Sequence, residues 1–560
     1  MENKKEKVLI FTAWPYANGD LHLGHIAGCY LPADIFARYN RIKGRDVKMF
    51  SGSDQHGTPV TVRADKEKIS PAEVAQRYHE SYLKIWEKLG ISYTFYTKTH
   101  TDNHREVVHG IFLTLMDKGY IEKRTMKMPH CDNCSRFLPD RYVEGECPYC
   151  HSKDARGDQC DNCGKTLDPE DLINPSCKLC GRPPQIRETE HFFLKLSAFN
   201  DKLLEWLKDK EHFRPNVHNF TRQYLTDGLH DRAITRDIQW GVPVPLEGYD
   251  NKRIYVWFEA VIGYLSAAIL WAKESGNPDA WQDYWKNPSC RAYYFIGKDN
   301  IPFHTLIWPA ILLGYGNDLQ LPYDVPSNEY LTLEGRQFST SRNWAVWVPD
   351  FLERYDPDPL RFVLSANMPE TSDSDFSWQE FLRRNNNELV ATYGNLVHRT
   401  LSFTHKKFKG QVPSPGALTP ADEEILALAQ KTLQDMDEQL NRCSFREALR
   451  TCMKLAQEAN RYLEETSPWL AIKTDRQKAA TSLWVTIQLI NTLKVAFYPY
   501  IPFSSEKLHA ILGFTGGIEE MGWRHYEVPG ETSFEAPKPL FRKLDEEIVE
   551  QELDRMSASI

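Results

Sequence analysis

The stretch "AWPYANGDLHLGHIAG", residues Ala13 to Gly28, carries two histidines three positions apart, His22 and His25, with Gly24 between them. The apolar run "KVLIFTAWPY" precedes the pair, so the histidines fall where a strand gives way to a helix. Such a pair admits three readings: solvated turn residues, a metal site or a phosphate site. Metal-binding helices usually space their histidines at i and i+4, which weakens the second. In an open parallel sheet, ligands bind beyond the carboxyl ends of the strands, where helix N-termini offer free N–H groups to phosphate. Imidazoles placed there donate hydrogen bonds to phosphate oxygens as charge develops in a transition state. A glycine between them lets a planar ring lie against the backbone.

A second constellation is made of cysteine. Eight of the twelve cysteines form Cys-x-x-Cys pairs: Cys131/Cys134, Cys147/Cys150, Cys160/Cys163 and Cys177/Cys180. Two such turns supply one tetrahedral thiolate site, and four supply two. A redox pair or an iron–sulfur cluster uses similar spacing. Repeated pairs in a short insertion that can bury little core of its own point instead to structural zinc. Spacing alone leaves the partners open. Cys29, Cys290, Cys443 and Cys452 read as buried thiols.

The elements around these residues read as follows. A strand over "KVLIFTAWPY", a helix from about Gly24 to Lys43 and a strand over "DVKMFSGSDQHG" form a strand–helix–strand unit. Two helices follow, "SPAEVAQRYHESYLKIWEKLG", with Ser70 as cap and Pro71 in its first turn, and "NHREVVHGIFLTLMDKG". After the cysteine segment the theme resumes at "RIYVWFEAVIGYLSAAILWAK" and "RAYYFIGKDNIPFHTLIWPAILLGYG", each read as a strand leading into a helix. From about Asn385 long helical patterns replace strands, with "KGQVPSPGALTP" as a linker. The expected fold is α/β, a doubly wound parallel-sheet (Rossmann-like) domain split by a zinc-knuckle insertion and followed by an all-α helical bundle.

Bulk properties set bounds. A chain of 560 residues implies two to four domains, and 41% hydrophobic with 26% charged residues is ordinary for a folded chain. The net charge of -9 argues against a generic polyanion binder, although a local basic face suffices to steer a nucleic acid. The start "MENKKEKVLIFTAWPY" is too charged and its apolar run too short for a signal peptide, and no run approaches about 18 uninterrupted apolar residues. A cytoplasmic protein without a membrane partner is expected.

"HLGH" with "AWPYANG" resembles the His-x-Gly-His signature of the class I aminoacyl-tRNA synthetases. "GSDQHGTP", the cysteine insertion, "TRDIQWGVPVP", "YVWFEAVIGY", "FIGKDNIPFH" and "SPWLAIK" extend the resemblance, from Val8 to about Pro502, to the methionyl-tRNA synthetases. The resemblance implies ATP-dependent activation of L-methionine to methionyl-adenylate, with Mg2+ accompanying ATP, and transfer to the 3' end of methionine tRNA, elongator and initiator. By that match His22 and His25 bind the ATP phosphates, Gly24 faces the base, and Gly297, Asp299 and Thr340 complete the ATP site. A selective site for a flexible, apolar, sulfur-tipped side chain should be aromatic with few polar groups. The matching positions are Ala13, Trp14, Tyr16, Arg236, Trp257, Ala260, Tyr264, Asp299, Phe303, His304 and Trp308, with Asp54 as the ammonium ligand. Val261 stands where many relatives have proline.

The resemblance also implies nested zinc sites, Cys147, Cys150, Cys160 and Cys163 on one ion and Cys131, Cys134, Cys177 and Cys180 on the other. The family's mobile Lys-Met-Ser-Lys-Ser loop corresponds to Gln337, Phe338, Ser339, Thr340 and Ser341, so both pyrophosphate-facing lysines are missing. Arg336 or Arg342 is the expected replacement, with Ser339, Thr340 and Ser341 on the phosphates. Losing such a cation would typically cost about a hundredfold in rate. Asn395 and Arg399, at i and i+4 on one helix face, and Trp469 in a loop-like "TSPWLAIK" match the family's anticodon contacts. Implied boundaries are 1–118 and 230–325 for the halves of the catalytic domain, 119–229 for the insertion, 326–385 for a stem-contact region and 386–560 for the anticodon-binding domain. Some relatives dimerise through a further C-terminal domain, for which "ELDRMSASI" leaves no room, so a monomer is expected. Rival readings are a paralogue that activates methionine without charging tRNA efficiently, and a non-catalytic tRNA-binding regulator.

Overall fold

The computed structural model describes residues 5–139, 142–157, 160, 162–163, 165, 167, 169–339 and 343–558. Its centre is a five-stranded sheet built from β1 (Lys7–Thr12), β2 (Asp46–Ser53), β3 (Phe95–Lys98), β6 (Arg291–Gly297) and β7 (Ser327–Asn328). The order is β7-β6-β1-β2-β3 with every pair parallel, so strands from both sides of the insertion share one sheet. Side chains alternate between its faces: Val8 and Ile10 join one core, Leu9 and Phe11 the other. The chain runs outward from β1 in both directions, which makes the carboxyl ends of β1 and β6 the switch point where a crevice opens.

The helices follow local chemistry. α1 (Leu31–Ile42) is entered through a helical turn at Leu23–His25 and a π-helical turn at Ile26–Tyr30. α2 (Pro71–Leu89) opens on a capping box in which Ser70 Oγ accepts from the Glu73 N–H (3.2 Å) and the Glu73 carboxylate from the Ser70 N–H (2.9 Å), and it closes at Gly90 with φ 72°. α3 (Asp102–Asp117) and α4 (Val256–Glu274) cover one face. The strand expected before α4 is not part of the main sheet. The strand there is Arg253–Ile254, pairing antiparallel with Thr235–Arg236. The apolar run is a helix buried nearly all round from Val256 to Ala268, which erases the periodicity that separates helix from strand. By length and composition α4 could cross a membrane, yet 72% of its apolar window is buried in the protein.

The insertion hangs on an antiparallel arm, β4 (Ile121–Cys131) against β5 (Gln185–Leu194), in register from Ile121↔Leu194 to His130↔Gln185. α5 (Trp308–Tyr315) lies between β6 and β7, and beyond β7 come α6 (Pro357–Ala366), α7 (Asn395–Lys407), α8 (Pro420–Asn441), α9 (Phe445–Thr466) and α10 (Arg476–Phe497). The bundle shares a continuous core with the sheet face formed by Val8, Ile10 and Phe295. Arg361 on α6 braces the junction. Fully buried, it donates to the Pro499 (2.9 Å) and Tyr500 (2.8 Å) carbonyls and to Asp34 Oδ2 on α1 (2.7 Å).

Candidate active site

The switch point opens into a cavity of about 700 Å³. On its wall the Gly24 N–H donates to His22 Nδ1 (3.2 Å) and the His22 N–H donates to His25 Nδ1 (3.1 Å). Each ring therefore accepts at Nδ1 and, when neutral, carries its proton on Nε2. Burial, and for His22 also the neighbouring His25, lowers both below the usual imidazole range, His25 to about 4. The rings lie with centroids 3.8 Å apart, and Phe338 stacks flat on His22 at 4.5 Å and 7°. A Cβ at position 24 would come within 3.0 Å of the His22 ring and 3.4 Å of Phe338, so a side chain there would press the His22 ring out of place by a few tenths of an ångström.

Ala13, Trp14, Tyr16, Arg236, Trp257, Phe303, Gly297 and Asp299 line the same cavity. Trp257 and Phe303 stack face to face at 3.8 Å, with Tyr16 edge-on to Trp257 at 5.8 Å. The Arg236 guanidinium lies 3.8 Å above the Tyr255 ring, and Asp299 accepts from the Tyr330 hydroxyl. Asp54, Ala260, Tyr264 and His304 are buried and form no part of the wall. His304 Nδ1 donates to the Asn300 carbonyl (2.8 Å), and burial lowers its pKa to about 4, so its neutral ring accepts at Nε2 from the Tyr264 hydroxyl (2.6 Å). Trp308 is likewise buried off the wall, donating to the Tyr294 hydroxyl (3.0 Å) and lying 6.3 Å from the Tyr264 ring that it backs. An aromatic at helical spacing suits a core as well as a pocket.

The loop residues are less convergent. Ser339 pairs with Trp344 through two backbone hydrogen bonds (2.9 and 3.0 Å), and Gln337 and Phe338 reach the cavity. Arg336 stacks over Trp344 at 5.1 Å and is not part of the wall. Thr340, Ser341 and Arg342 lie outside the described residues.

The sequence matches the family described as tRNA synthetases class I (M) over residues 8–401, and the anticodon binding domain of methionyl tRNA ligase over 412–559. The chain belongs to the methionine branch of the class I tRNA synthetases. The methionine–tRNA ligase of Thermomicrobium roseum is 52% identical, covering 99% of each chain, and that of a Dehalococcoides mccartyi strain is 58% identical over 98% of this chain and 99% of its own. Mycobacterium tuberculosis methionyl-tRNA synthetase in complex with methionyl-adenylate superposes with a TM-score of 0.79 at 26% identity, covering 96% of this chain and 99% of that one.

In this synthetase the insertion gathers its thiols into two groups, Cys131, Cys134, Cys177 and Cys180, and Cys147, Cys150, Cys160 and Cys163, each with all Sγ atoms within 4.8 Å of one another. Sulfur pairs at 3.5, 3.9, 3.8 and 3.6 Å fit the roughly 3.8 Å edge of a tetrahedron with metal–sulfur bonds of about 2.3 Å. The other four cysteines are buried. Unforeseen from sequence, the insertion also walls the cavity through Met126, Met128, Leu167 and Pro169. In the bundle, Arg399 on α7 ion-pairs with Glu464 (2.7 Å) and lies 4.9 Å over Trp469, beside a second cavity of about 360 Å³. Asn395 is exposed one turn away, and Trp469 sits in a short helix, Pro468–Ala471, rather than in a loop. Proline in the first turn, read as a loop signal, here begins a helix.

Also unforeseen is a buried chain of titratable side chains behind the wall, with Glu259 between His56 and His104. Its signal was a lone carboxylate inside the apolar run "VWFEAVIGY".

Proposed function

We propose that the protein is a methionine–tRNA ligase that condenses L-methionine with ATP to methionyl-adenylate and passes the methionyl group to the terminal ribose of methionine tRNA, elongator and initiator alike. The observation that carries this reading is the pair of Nε2–H donors of His22 and His25, set at the switch point on the same cavity as the Tyr16–Trp257–Phe303 ring cluster. The methionine carboxylate attacks the α-phosphate and pyrophosphate departs; His22 and His25 stabilise the charge that gathers on the phosphate oxygens. A hydroxyl of the terminal ribose then attacks the activated carbonyl and AMP departs. Asp54 holds the substrate ammonium, and Tyr264 and His304 face the side chain once Trp257 and Phe303 part to admit it. Gly297 and Asp299 take the nucleoside, and Mg2+ accompanies ATP.

Each thiolate group holds one structural zinc ion, which supplies cross-linking to an insertion with a small core. Arg399, Trp469 and Asn395 meet the anticodon by stacking and hydrogen bonding. Arg342 or Arg336, swung from Trp344, replaces the missing lysines on pyrophosphate, with Ser339, Thr340 and Ser341. The division of the chain at 118, 229, 325 and 385, a monomeric state and a cytoplasmic location belong to the same reading. Full-length similarity to methionine–tRNA ligases supports it over a paralogue that has lost charging. The test is methionine-dependent ATP–pyrophosphate exchange together with tRNA charging; His25→Ala should lower exchange by about a hundredfold or more. Undiminished exchange in that variant contradicts the assigned role.

A further inference from the structure

Glu259 is fully buried in an apolar turn of α4, forms no part of the cavity wall and has no part in the steps above. Its Oε1 accepts from His56 Nδ1 (2.8 Å) and its Oε2 from His104 Nε2 (2.6 Å). An ionised carboxylate only accepts, so both imidazoles must present N–H groups to it. His56 therefore carries a proton on Nδ1, which leaves Nε2 to meet His100 Nδ1 (3.0 Å). His104 is held from its other side by the Ser266 hydroxyl (2.8 Å), two turns along α4. His100 stacks on Trp240 at 4.5 Å, and the Trp240 indole N–H donates to the Gln55 carbonyl (2.6 Å). Behind the wall, the His56 backbone N–H donates to Asp54 Oδ1 (3.2 Å).

The arrangement sets two buried carboxylates near one another with imidazoles on only one of them. Burial, and then the charge of Glu259, push Asp54 well above the usual carboxylate range, while His56 and His104 overcome burial and hold Glu259 below it. A cation reaching Asp54 is drawn by the Glu259 charge and in turn favours ionisation of Asp54.

We infer that Glu259 is a positioning residue for the substrate amino group: it clamps His56 and His104, the His56 backbone thereby aims the Asp54 carboxylate, and the Glu259 charge deepens the potential that draws an ammonium there. The inference rests on Asp54 being the ammonium ligand. A purely structural Glu259 would hold α4 against α3 and be indifferent to the charge of the ligand.

The experiment compares L-methionine with 4-(methylthio)butanoate, which has the same side chain and carboxylate but no amino group. The KM for methionine and the inhibition constant of the analogue are measured in ATP–pyrophosphate exchange for the full chain, Glu259→Gln and Asp54→Asn. Glu259→Gln keeps the shape but offers one acceptor where two are needed. It should raise the methionine KM about tenfold, change the analogue's constant less than about twofold, and leave kcat within about twofold. Glu259→Asp, which keeps the charge, should recover part of the loss. Equal losses for the two ligands, or a fall in kcat with KM unchanged, overturn the inference. An ammonium-selective loss in Asp54→Asn without one in Glu259→Gln does so too, while no selective loss in Asp54→Asn overturns the Asp54 reading beneath it. Should Glu259→Gln not fold, Ser266→Ala, which frees His104, carries the test: a selective loss of about threefold supports the inference and none refutes it.

Discussion

His22 and His25 become directional donors through the backbone of their own turn, since Gly24 N–H and His22 N–H occupy the two Nδ1 atoms and leave Nε2–H for a ligand. Heteronuclear NMR of the ring nitrogens should accordingly show both as neutral Nε2–H tautomers and His304 as the Nδ1–H tautomer, unchanged from about pH 8 to 5.5; a titration near 6.5 would contradict the assignment. Linkage gives a second expectation. His304, buried and lowered from 6.5 to about 4, binds its proton more readily unfolded than folded. Its contribution to stability is complete above about pH 6.5 and is lost as pH falls towards 4. The unfolding midpoint should drop across that window, and less steeply in His304→Gln; a slope unaltered by the substitution would rule this out. The histidines were legible because type, spacing and the intervening glycine converge on one chemistry. Glu259, His56 and His104 were not, because their meaning lies in contacts between residues as far as 203 positions apart.

At the scale of elements, α4 carries Trp257 into the cavity wall and closes over Trp14, which is wedged between two glycines. A Cβ at Gly263 would come 2.8 Å from the Trp14 ring, and one at Gly52 2.4 Å. Gly263→Ala should cost about 1–3 kcal/mol by overpacking and displace Trp14 from the wall, raising the methionine KM; denaturant unfolding with exchange kinetics decides, and an unchanged stability would contradict the close approach. The cysteine insertion makes a simpler prediction. Metal analysis should find two zinc ions per chain, and Cys147→Ser should lower that to one while leaving the Cys131 group loaded. Loss of both ions would show that the groups are not independent. Cysteine spacing announced these sites because thiolate geometry is local. The strand expected before α4 failed for the opposite reason: a helix buried on all sides shows no periodicity, and only its packing reveals what it is.

Across the whole molecule, the bundle and the catalytic sheet share one core, and Arg361 ties α1, which continues from His22 and His25, to the backbone at Pro499 and Tyr500. Arg38 adds a second tie, donating to Asp34 (2.9 Å) and the Tyr498 hydroxyl (3.1 Å). Burial opposes the charge on Asp34, but Arg38 and Arg361 prevail and hold it well below the usual carboxylate range. Arg361→Ala leaves that carboxylate short of a partner and should destabilise the protein by roughly 3–5 kcal/mol, splitting thermal unfolding into two transitions; a single transition at the original midpoint would refute the brace. The brace was not legible in the sequence, since its donors and acceptors come from three distant segments. This chain should form methionyl-tRNA although Gln337 stands where the family's signature loop begins with lysine. The most direct measurement is attachment of labelled methionine to transcribed methionine tRNA by the zinc-loaded protein, with His25→Ala beside it. Charging that His25→Ala abolishes is the predicted result. A folded, metal-loaded protein that forms adenylate yet charges no tRNA would contradict it.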